Sequence, residues 1–124
     1  MSKPRPKHLD LTKIQLPLPA LVSIMHRVSG TVLFLFIPLL LWLWQESLTS
    51  PQSFAAFKAV VSLPWMKIVL LGLLWGYLHH LCAGIRHLAL DLDFGTELAA
   101  ARASSKVVLA VSIVLTVAAA VALW

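Results

Sequence analysis

Three long apolar stretches, separated by short polar segments, make up most of the chain. They predict helix one over residues 20–48, helix two over 65–90 and helix three over 105–124. An α-helix rises about 1.5 Å per residue and a bilayer core is about 30 Å thick, so roughly 20 apolar residues span it. Because backbone N–H and C=O groups inside lipid must pair within their own segment, each stretch is predicted to be a transmembrane helix. The expected fold class is therefore an all-α membrane protein.

Prolines mark the expected ends of these helices. Thr49-Ser50-Pro51 predicts a turn after helix one. Pro64 suits the first turn of helix two, where a missing N–H leaves no helix bond unmade. Pro38 lies inside helix one and is expected to kink it. Residues 52–60 are mildly amphipathic, which favours a short segment along the membrane surface.

The composition supports a membrane protein and excludes several other classes. Of 124 residues, 60% are hydrophobic and 12% are charged, whereas a soluble domain usually has about 25% charged residues. A chain this short cannot cover a water-facing surface with so few charges, and disorder requires low hydrophobicity. A single cysteine, Cys82, excludes a disulfide scaffold.

The distribution of basic residues predicts the topology. The net charge is +5, and the Lys and Arg residues lie next to apolar runs, which indicates orientation in a membrane rather than nucleic-acid binding. Residues 1–27 contain five of them and 86–106 contain three, whereas 45–67 contain two. Positively charged segments stay in the cytoplasm. The chain is expected to be one domain, 1–124, with a cytoplasmic arm over 1–19 and Trp124 on the far side.

Helix one carries a polar cluster that an apolar span does not need. Ser23, His26, Arg27 and Gly30 are spaced i, i+3, i+4 and i+7, so they share one helix face. Ionisable residues within spans usually face a bundle interior, a cavity or an interface. Arg27 alone could be explained by snorkelling to lipid phosphates. A serine and a histidine on the same face favour a binding site.

Helix two carries a second cluster, which consists of His79, His80, Arg86, His87 and Asp91. His80 lies about 18 Å into the span when counted from Ile68. It also belongs to a period-four stripe made with Gly72, Gly76 and Gly84. Glycines above and below a histidine could leave a flat shelf for a planar ligand such as haem, for which histidine is a regular axial ligand. The alternative is that the glycines only allow close helix packing.

Geometry restricts how these histidines could bind one iron, because axial ligands approach from opposite sides. His80 and His87 lie on one face about 10.5 Å apart along the axis, so they cannot share an iron. His79 points about 100° away from His80. A second histidine ligand would therefore come from His26 or from another chain. Since His26 lies beside Arg27, and both suit the anionic haem propionates, a ligand from another chain is favoured.

Two segments carry a resemblance to a known family. Ser23-Ile-Met-His26-Arg27-Val-Ser-Gly30 and His80-Leu-Cys-Ala-Gly84-Ile-Arg86-His87-Leu-Ala-Leu-Asp91 resemble the two signatures of the cytochrome b membrane-anchor subunit of succinate dehydrogenase. Arg5-Pro-Lys-His-Leu-Asp-Leu11 is similar to the family's N-terminal segment. The likeness covers nearly the whole chain. It implies three helices that form a bundle with a second small membrane-anchor subunit, and that hold a flavoprotein and an iron–sulfur subunit on the membrane.

The resemblance also implies roles for individual residues. His80 would be the axial ligand of one haem b, whose iron is shared with a histidine of the second membrane anchor. His26 and Arg27 would lie at the haem propionates, and Ser23 and Arg27 would bind ubiquinone.

The function implied is that of an electron-transfer subunit in the bacterial cytoplasmic membrane, which is not an enzyme as an isolated chain and binds no nucleic acid. Three alternatives remain open: a fumarate reductase anchor working in the opposite direction, a cofactor-free membrane scaffold, and a small proton-conducting subunit.

Overall fold

The computed structural model describes Pro4, Asp10 and residues 12–124, so most of the predicted arm lies outside the described residues. All regular secondary structure in the described part is helical. The four helices are α1 (Leu18–Thr49), α2 (Pro51–Val61), α3 (Pro64–Asp91) and α4 (Leu98–Leu123). Helices α1, α3 and α4 are each long and apolar enough to cross a membrane. The predicted fold class, an all-α membrane protein with three spans, is confirmed.

The ends of α2 follow from local hydrogen bonding. Ser50 ends α1 in an extended conformation and caps α2, because its hydroxyl accepts a hydrogen bond from the Ser53 N–H at 3.1 Å. The Ser53 hydroxyl in turn accepts from the Ser50 N–H at 2.9 Å, so two otherwise unpaired N–H groups are satisfied. Pro51 and Pro64 occupy the first turns of α2 and α3, which fits proline's fixed φ.

Helix α1 is continuous from Leu18 to Thr49 and includes Pro38; the kink expected there stays a prediction. One helix boundary differs from the expectation. Helix α4 begins at Leu98 rather than at 105, because residues 98–103 are rich in alanine, which favours helix although it adds little hydropathy. The loop between α3 and α4 is correspondingly short, and Gly95 adopts a φ of 73° there, a conformation in which glycine meets no steric penalty.

The described end of the arm forms a small turn before α1. The Thr12 hydroxyl and N–H donate to the Asp10 carboxylate at 2.6 and 3.1 Å. These hydrogen bonds lower the pKa of Asp10, since they favour the charged form. Lys13 lies 3.5 Å from the same carboxylate.

Helix α3 is the centre of the bundle and packs against both α1 and α4. The small core takes one residue from each of the three long helices α1, α3 and α4: Val22, Ala83 and Val108. At the opposite end of the bundle, the Lys67 ammonium lies 5.8 Å from the centre of the Trp124 ring. This contact joins the start of α3 to the end of α4, so these two helices run antiparallel.

The outer surface of the bundle is apolar. Phe34, Ile68 and Val121 are 69%, 71% and 78% exposed, which suits contact with lipid or with another membrane subunit. Two of the polar residues inside are small: Ser105 and Ser112 are fully buried in α4, and their hydroxyls donate to the carbonyls of Ala101 and Leu109 in the same helix. Small residues satisfied in this way let neighbouring helices approach closely.

Candidate functional site

The imidazole of His80 is held by two groups of α1. Its Nδ1 lies 3.0 Å from the His26 carbonyl oxygen and 3.2 Å from the Ser29 hydroxyl. The Ser29 hydroxyl itself donates to the His26 carbonyl at 2.9 Å. A carbonyl only accepts hydrogen bonds, so Nδ1 carries the proton that it receives. The other ring nitrogen, Nε2, then has a free lone pair, which is the form of histidine that ligates a metal.

Gly30 lets the His80 ring come this close to α1. A Cβ atom added at Gly30 would lie 2.8 Å from His80 Cε1 and 3.3 Å from Nδ1. A contact of 2.8 Å is essentially never seen for a real Cβ atom, so only glycine fits while the ring keeps its place. Helix α1 therefore supplies both the space for the ring and the carbonyl that orients it.

Two more histidines lie next to His80. The His26 ring stacks on the His80 ring with centroids 4.1 Å apart and an angle of 10° between planes. His87 lies on the other side of His26, at 5.0 Å and 52°. The three rings border a groove of about 430 Å³, which we call the histidine groove. Its lining residues are His26, His80, Leu81, Gly84, Ile85, His87 and Leu88.

The stacking of His26 on His80 has a consequence for metal binding. The lone pair of an imidazole nitrogen lies in the plane of its ring, so two parallel rings stacked face to face cannot aim at one atom from opposite sides. Among the described residues there is also no group of three His, Cys, Asp or Glu arranged to hold a bare metal ion. His26 and His80 therefore cannot act together as the two opposite ligands of one metal.

Two other residues predicted for the site, Ser23 and Arg27, lie near the histidine groove but do not line it. Ser23 and Arg27 lie on α1 within one turn of His26, but in the described part of the chain neither lines the histidine groove. Arg27 is exposed and Ser23 is partly buried. Of these three residues of α1, only His26 lines the histidine groove.

His79 is separated from its neighbour His80 by the turn of the helix. It is 1% exposed, its ring is 5.5 Å from that of Trp75, and the Val22 carbonyl lies beside it. Neither of its ring nitrogens has a hydrogen-bond partner of good geometry among the described residues. His79 is thus inside the bundle and does not face the histidine groove.

The predicted glycine stripe divides between two places. Gly84 lines the histidine groove, where an added Cβ would lie 3.5 Å from His26 Nε2. Gly72 and Gly76 instead line a separate cavity of about 270 Å³ beside Trp75 and His79. An added Cβ would meet nothing within 4 Å at Gly72 or Gly76 in the described chain. The close approach occurs at Gly30, not along the stripe.

One residue of the site is not predicted from the sequence: Ser29 has no expected role there, although it bonds the His80 ring. Gly30 belongs to the predicted cluster, but its close approach to the ring is not predicted. Their spacing could have indicated this role, because Ser29 and Gly30 follow His26 by three and four residues and so lie on the same helix face.

Fold and site together define a multi-pass membrane protein with a hydrogen-bonded histidine at a groove between two of its spans. The family model for the succinate dehydrogenase/fumarate reductase transmembrane subunit matches residues 1–119, and the chain belongs to this family.

Its relatives cover nearly the whole length. It is 41% identical over 125 residues to a protein of Coxiella burnetii named succinate dehydrogenase cytochrome b556 subunit, and the match covers 100% of both chains. Proteins of the same name from Paracoccus denitrificans and Rickettsia felis are 40% and 31% identical, and these matches cover 91% and 92% of this chain and 87% of each relative.

Proposed function

We propose that this chain is the haem b-binding membrane anchor of a succinate:ubiquinone oxidoreductase, in which it passes electrons from the iron–sulfur subunit to ubiquinone. The observation that carries the proposal is the bonding of His80, whose Nδ1 donates to the His26 carbonyl at 3.0 Å. Family membership supports the same conclusion, because the relatives above are named as cytochrome b subunits of succinate dehydrogenase. Their names also favour succinate oxidation over the fumarate-reducing direction.

His80 is the proposed axial ligand. A hydrogen bond from Nδ1–H to a carbonyl fixes the tautomer and raises the basicity of Nε2. The ring is further restrained by stacking on His26, at 4.1 Å. A haem bound here supplies a centre that stores one electron at a time. This chain's part is to hold that centre at a fixed depth, about 16 Å from the end of α3 at Asp91.

His26 and Arg27 are the proposed partners of the haem propionates, and Ser23 and Arg27 the proposed ubiquinone ligands. A guanidinium keeps its charge and forms strong hydrogen bonds to carboxylates. It can also stabilise the negative charge that develops on a quinone oxygen during reduction, while the Ser23 hydroxyl donates to the same oxygen. Arg27 is exposed, which leaves it available to a group brought by another subunit.

The second axial ligand is proposed to come from the second small membrane-anchor subunit. The stacked arrangement of His26 and His80 supports a ligand from outside this chain. The apolar outer surface offers a place for such a membrane subunit, and the iron–sulfur and flavoprotein subunits would bind on the cytoplasmic side. In this topology the N-terminus is cytoplasmic and the protein lies in the bacterial inner membrane.

The test is a reduced-minus-oxidised optical spectrum of the complex purified in mild detergent. We expect wild-type complex to show a b-type haem, and His80→Ala to lose it or to show an altered ligand set. His87→Ala is the matched control, because it removes a second imidazole from the same groove, and it should keep the bis-histidine spectrum. A normal bis-histidine spectrum in His80→Ala would refute the ligand assignment. Assembled wild-type complex without haem would favour a cofactor-free scaffold.

A further inference from the structure

Arg86 is a buried cation without a counter-charge in this chain. It is 7% exposed. Its Nε donates to the Ser104 hydroxyl at 2.9 Å and its Nη2 to the Ala101 carbonyl at 3.3 Å, so both acceptors are neutral. All five carboxylate side chains belong to the described residues, and the one ion pair there joins Lys13 to Asp10. Because a buried charge is costly without an opposite one, an anion from outside the chain would stabilise Arg86.

The guanidinium also has a free side that opens into a groove. In the described part of the chain, Nη1 has no hydrogen bond and is not among the fully enclosed polar atoms. Arg86 borders a groove of about 370 Å³ between α3 and α4. The other walls are formed by Ser104 and five apolar residues: Cys82, Ile85, Val107, Val108 and Val111. The groove therefore combines a cationic donor with a long apolar wall.

The depth of Arg86 matches the boundary between lipid headgroups and the hydrocarbon core. Helix α3 has 28 residues, which corresponds to about 42 Å. A centred core of about 30 Å leaves roughly 6 Å outside at each end. Arg86 precedes the last residue of α3 by five residues, or about 7.5 Å. Val107 and Val111 follow Ser104 along α4 towards the middle of the membrane, so the apolar wall runs inwards from the charge.

We propose that this groove binds an anionic phospholipid, with its phosphate at Arg86 and an acyl chain along Ile85, Val107 and Val111. The charge complementarity and the depth favour a phosphate at this level. The apolar wall leads from the charge towards the core, so one lipid molecule can use both parts of the groove: its phosphate at the guanidinium and its acyl chain along the wall. Ile85 and Val107 are 60% and 58% exposed in this chain.

The test measures lipid retention by the intact complex in detergent. Complexes are washed free of loosely bound lipid, titrated with phosphatidylglycerol or phosphatidylcholine, and the bound lipid is counted by native mass spectrometry. We expect wild type to prefer phosphatidylglycerol and Arg86→Gln to bind it about tenfold more weakly, the size expected for losing a hydrogen bond to a charged group. Val107→Phe should weaken binding as well, because it fills the groove without touching the guanidinium.

Two controls make the result specific. Arg102→Gln removes an exposed charge from the same end of α4, and Val117→Phe enlarges an exposed residue outside the groove; both should bind lipid like wild type. Inorganic phosphate should not displace the lipid, since it cannot occupy the apolar wall. Unchanged phosphatidylglycerol binding in Arg86→Gln and Val107→Phe would overturn the proposal, as would loss of a subunit from Arg86→Gln with lipid binding unchanged. If the Arg86→Gln complex does not assemble, the Val107→Phe complex is used instead: weaker phosphatidylglycerol binding supports the proposal, and unchanged binding overturns it.

Discussion

Helix α3 presents a polar side chain to each of its two neighbours, and the two are satisfied in different ways. Towards α1, the ring of His80 uses one nitrogen to bond the His26 carbonyl. Towards α4, the cation of Arg86 bonds Ser104 and Ala101. In both cases a serine of the neighbouring helix contributes a hydroxyl, Ser29 on one side and Ser104 on the other.

The two sides of α3 differ in the binding group that remains free once these hydrogen bonds are made. The α1 side uses the proton of an imidazole and leaves an uncharged lone pair, which can bind a metal centre. The α4 side uses neutral acceptors for a cation and leaves a positive charge, which attracts an anion. A single span thus offers two kinds of binding chemistry, because hydrogen bonds to backbone satisfy donors without cancelling charge.

Gly30 gives the largest expected effect on the α1 side. Gly30→Val would place a branched side chain against the His80 ring, where even a Cβ would lie 2.8 Å from Cε1. Overpacking of this kind costs about 1–3 kcal/mol, so we expect haem per assembled complex to fall about tenfold or more, measured by pyridine haemochrome content against co-purified subunits. Gly72→Ala is the control, because an added Cβ there meets nothing within 4 Å in the described chain. Full haem content in Gly30→Val would show that the ring does not need this contact.

The sequence predicts the spans and the conspicuous site residues because both follow from local patterns. Apolar runs of sufficient length give three membrane helices, and a histidine deep in a span marks His80. The hydrogen-bond partner of His80 is not predicted, because the bond to the His26 carbonyl depends on how α1 and α3 pack. Every residue has a backbone carbonyl, so no sequence motif identifies the one that accepts this bond.

Local patterns also do not predict which neighbouring helix each residue of α3 faces. His79, His80 and Arg86 form one cluster along the chain, but the helix turns them towards different surroundings. Which face meets α1 and which meets α4 is decided by the packing of Val22, Ala83 and Val108. Helix α4 looks uninformative as a sequence rich in alanine and valine, yet Ser104 bonds Arg86, and the buried Ser105 and Ser112 allow close packing.

The α4 side is tested by Ser104→Ala, which removes the acceptor of the Arg86 Nε–H. A buried donor left without a partner costs about 1–3 kcal/mol, so the thermal midpoint of the detergent-solubilised complex should fall by several degrees. Ser112→Ala is a matched control, because Ser112 is buried in the same helix but its hydroxyl bonds only the Leu109 carbonyl of its own turn. An equal decrease for both variants would mean that the bond to Arg86 contributes nothing specific.

The smallest effect is expected from Ser29→Ala, which tests a positioning role on the α1 side. The His26 carbonyl still accepts from His80 Nδ1 after the change, so haem should be retained. The lost hydroxyl, 3.2 Å from Nδ1, weakens the hydrogen bonding that raises the basicity of the ligand. A less basic ligand donates less electron density to the iron, which favours the reduced form, so the haem midpoint potential should rise. A net hydrogen bond of about 0.5–1.5 kcal/mol corresponds to about 20–60 mV for one electron. Redox titration of the optical spectrum measures this shift, and Ser29→Thr should restore the original potential. A potential unchanged in Ser29→Ala would leave the His26 carbonyl as the sole group that orients His80.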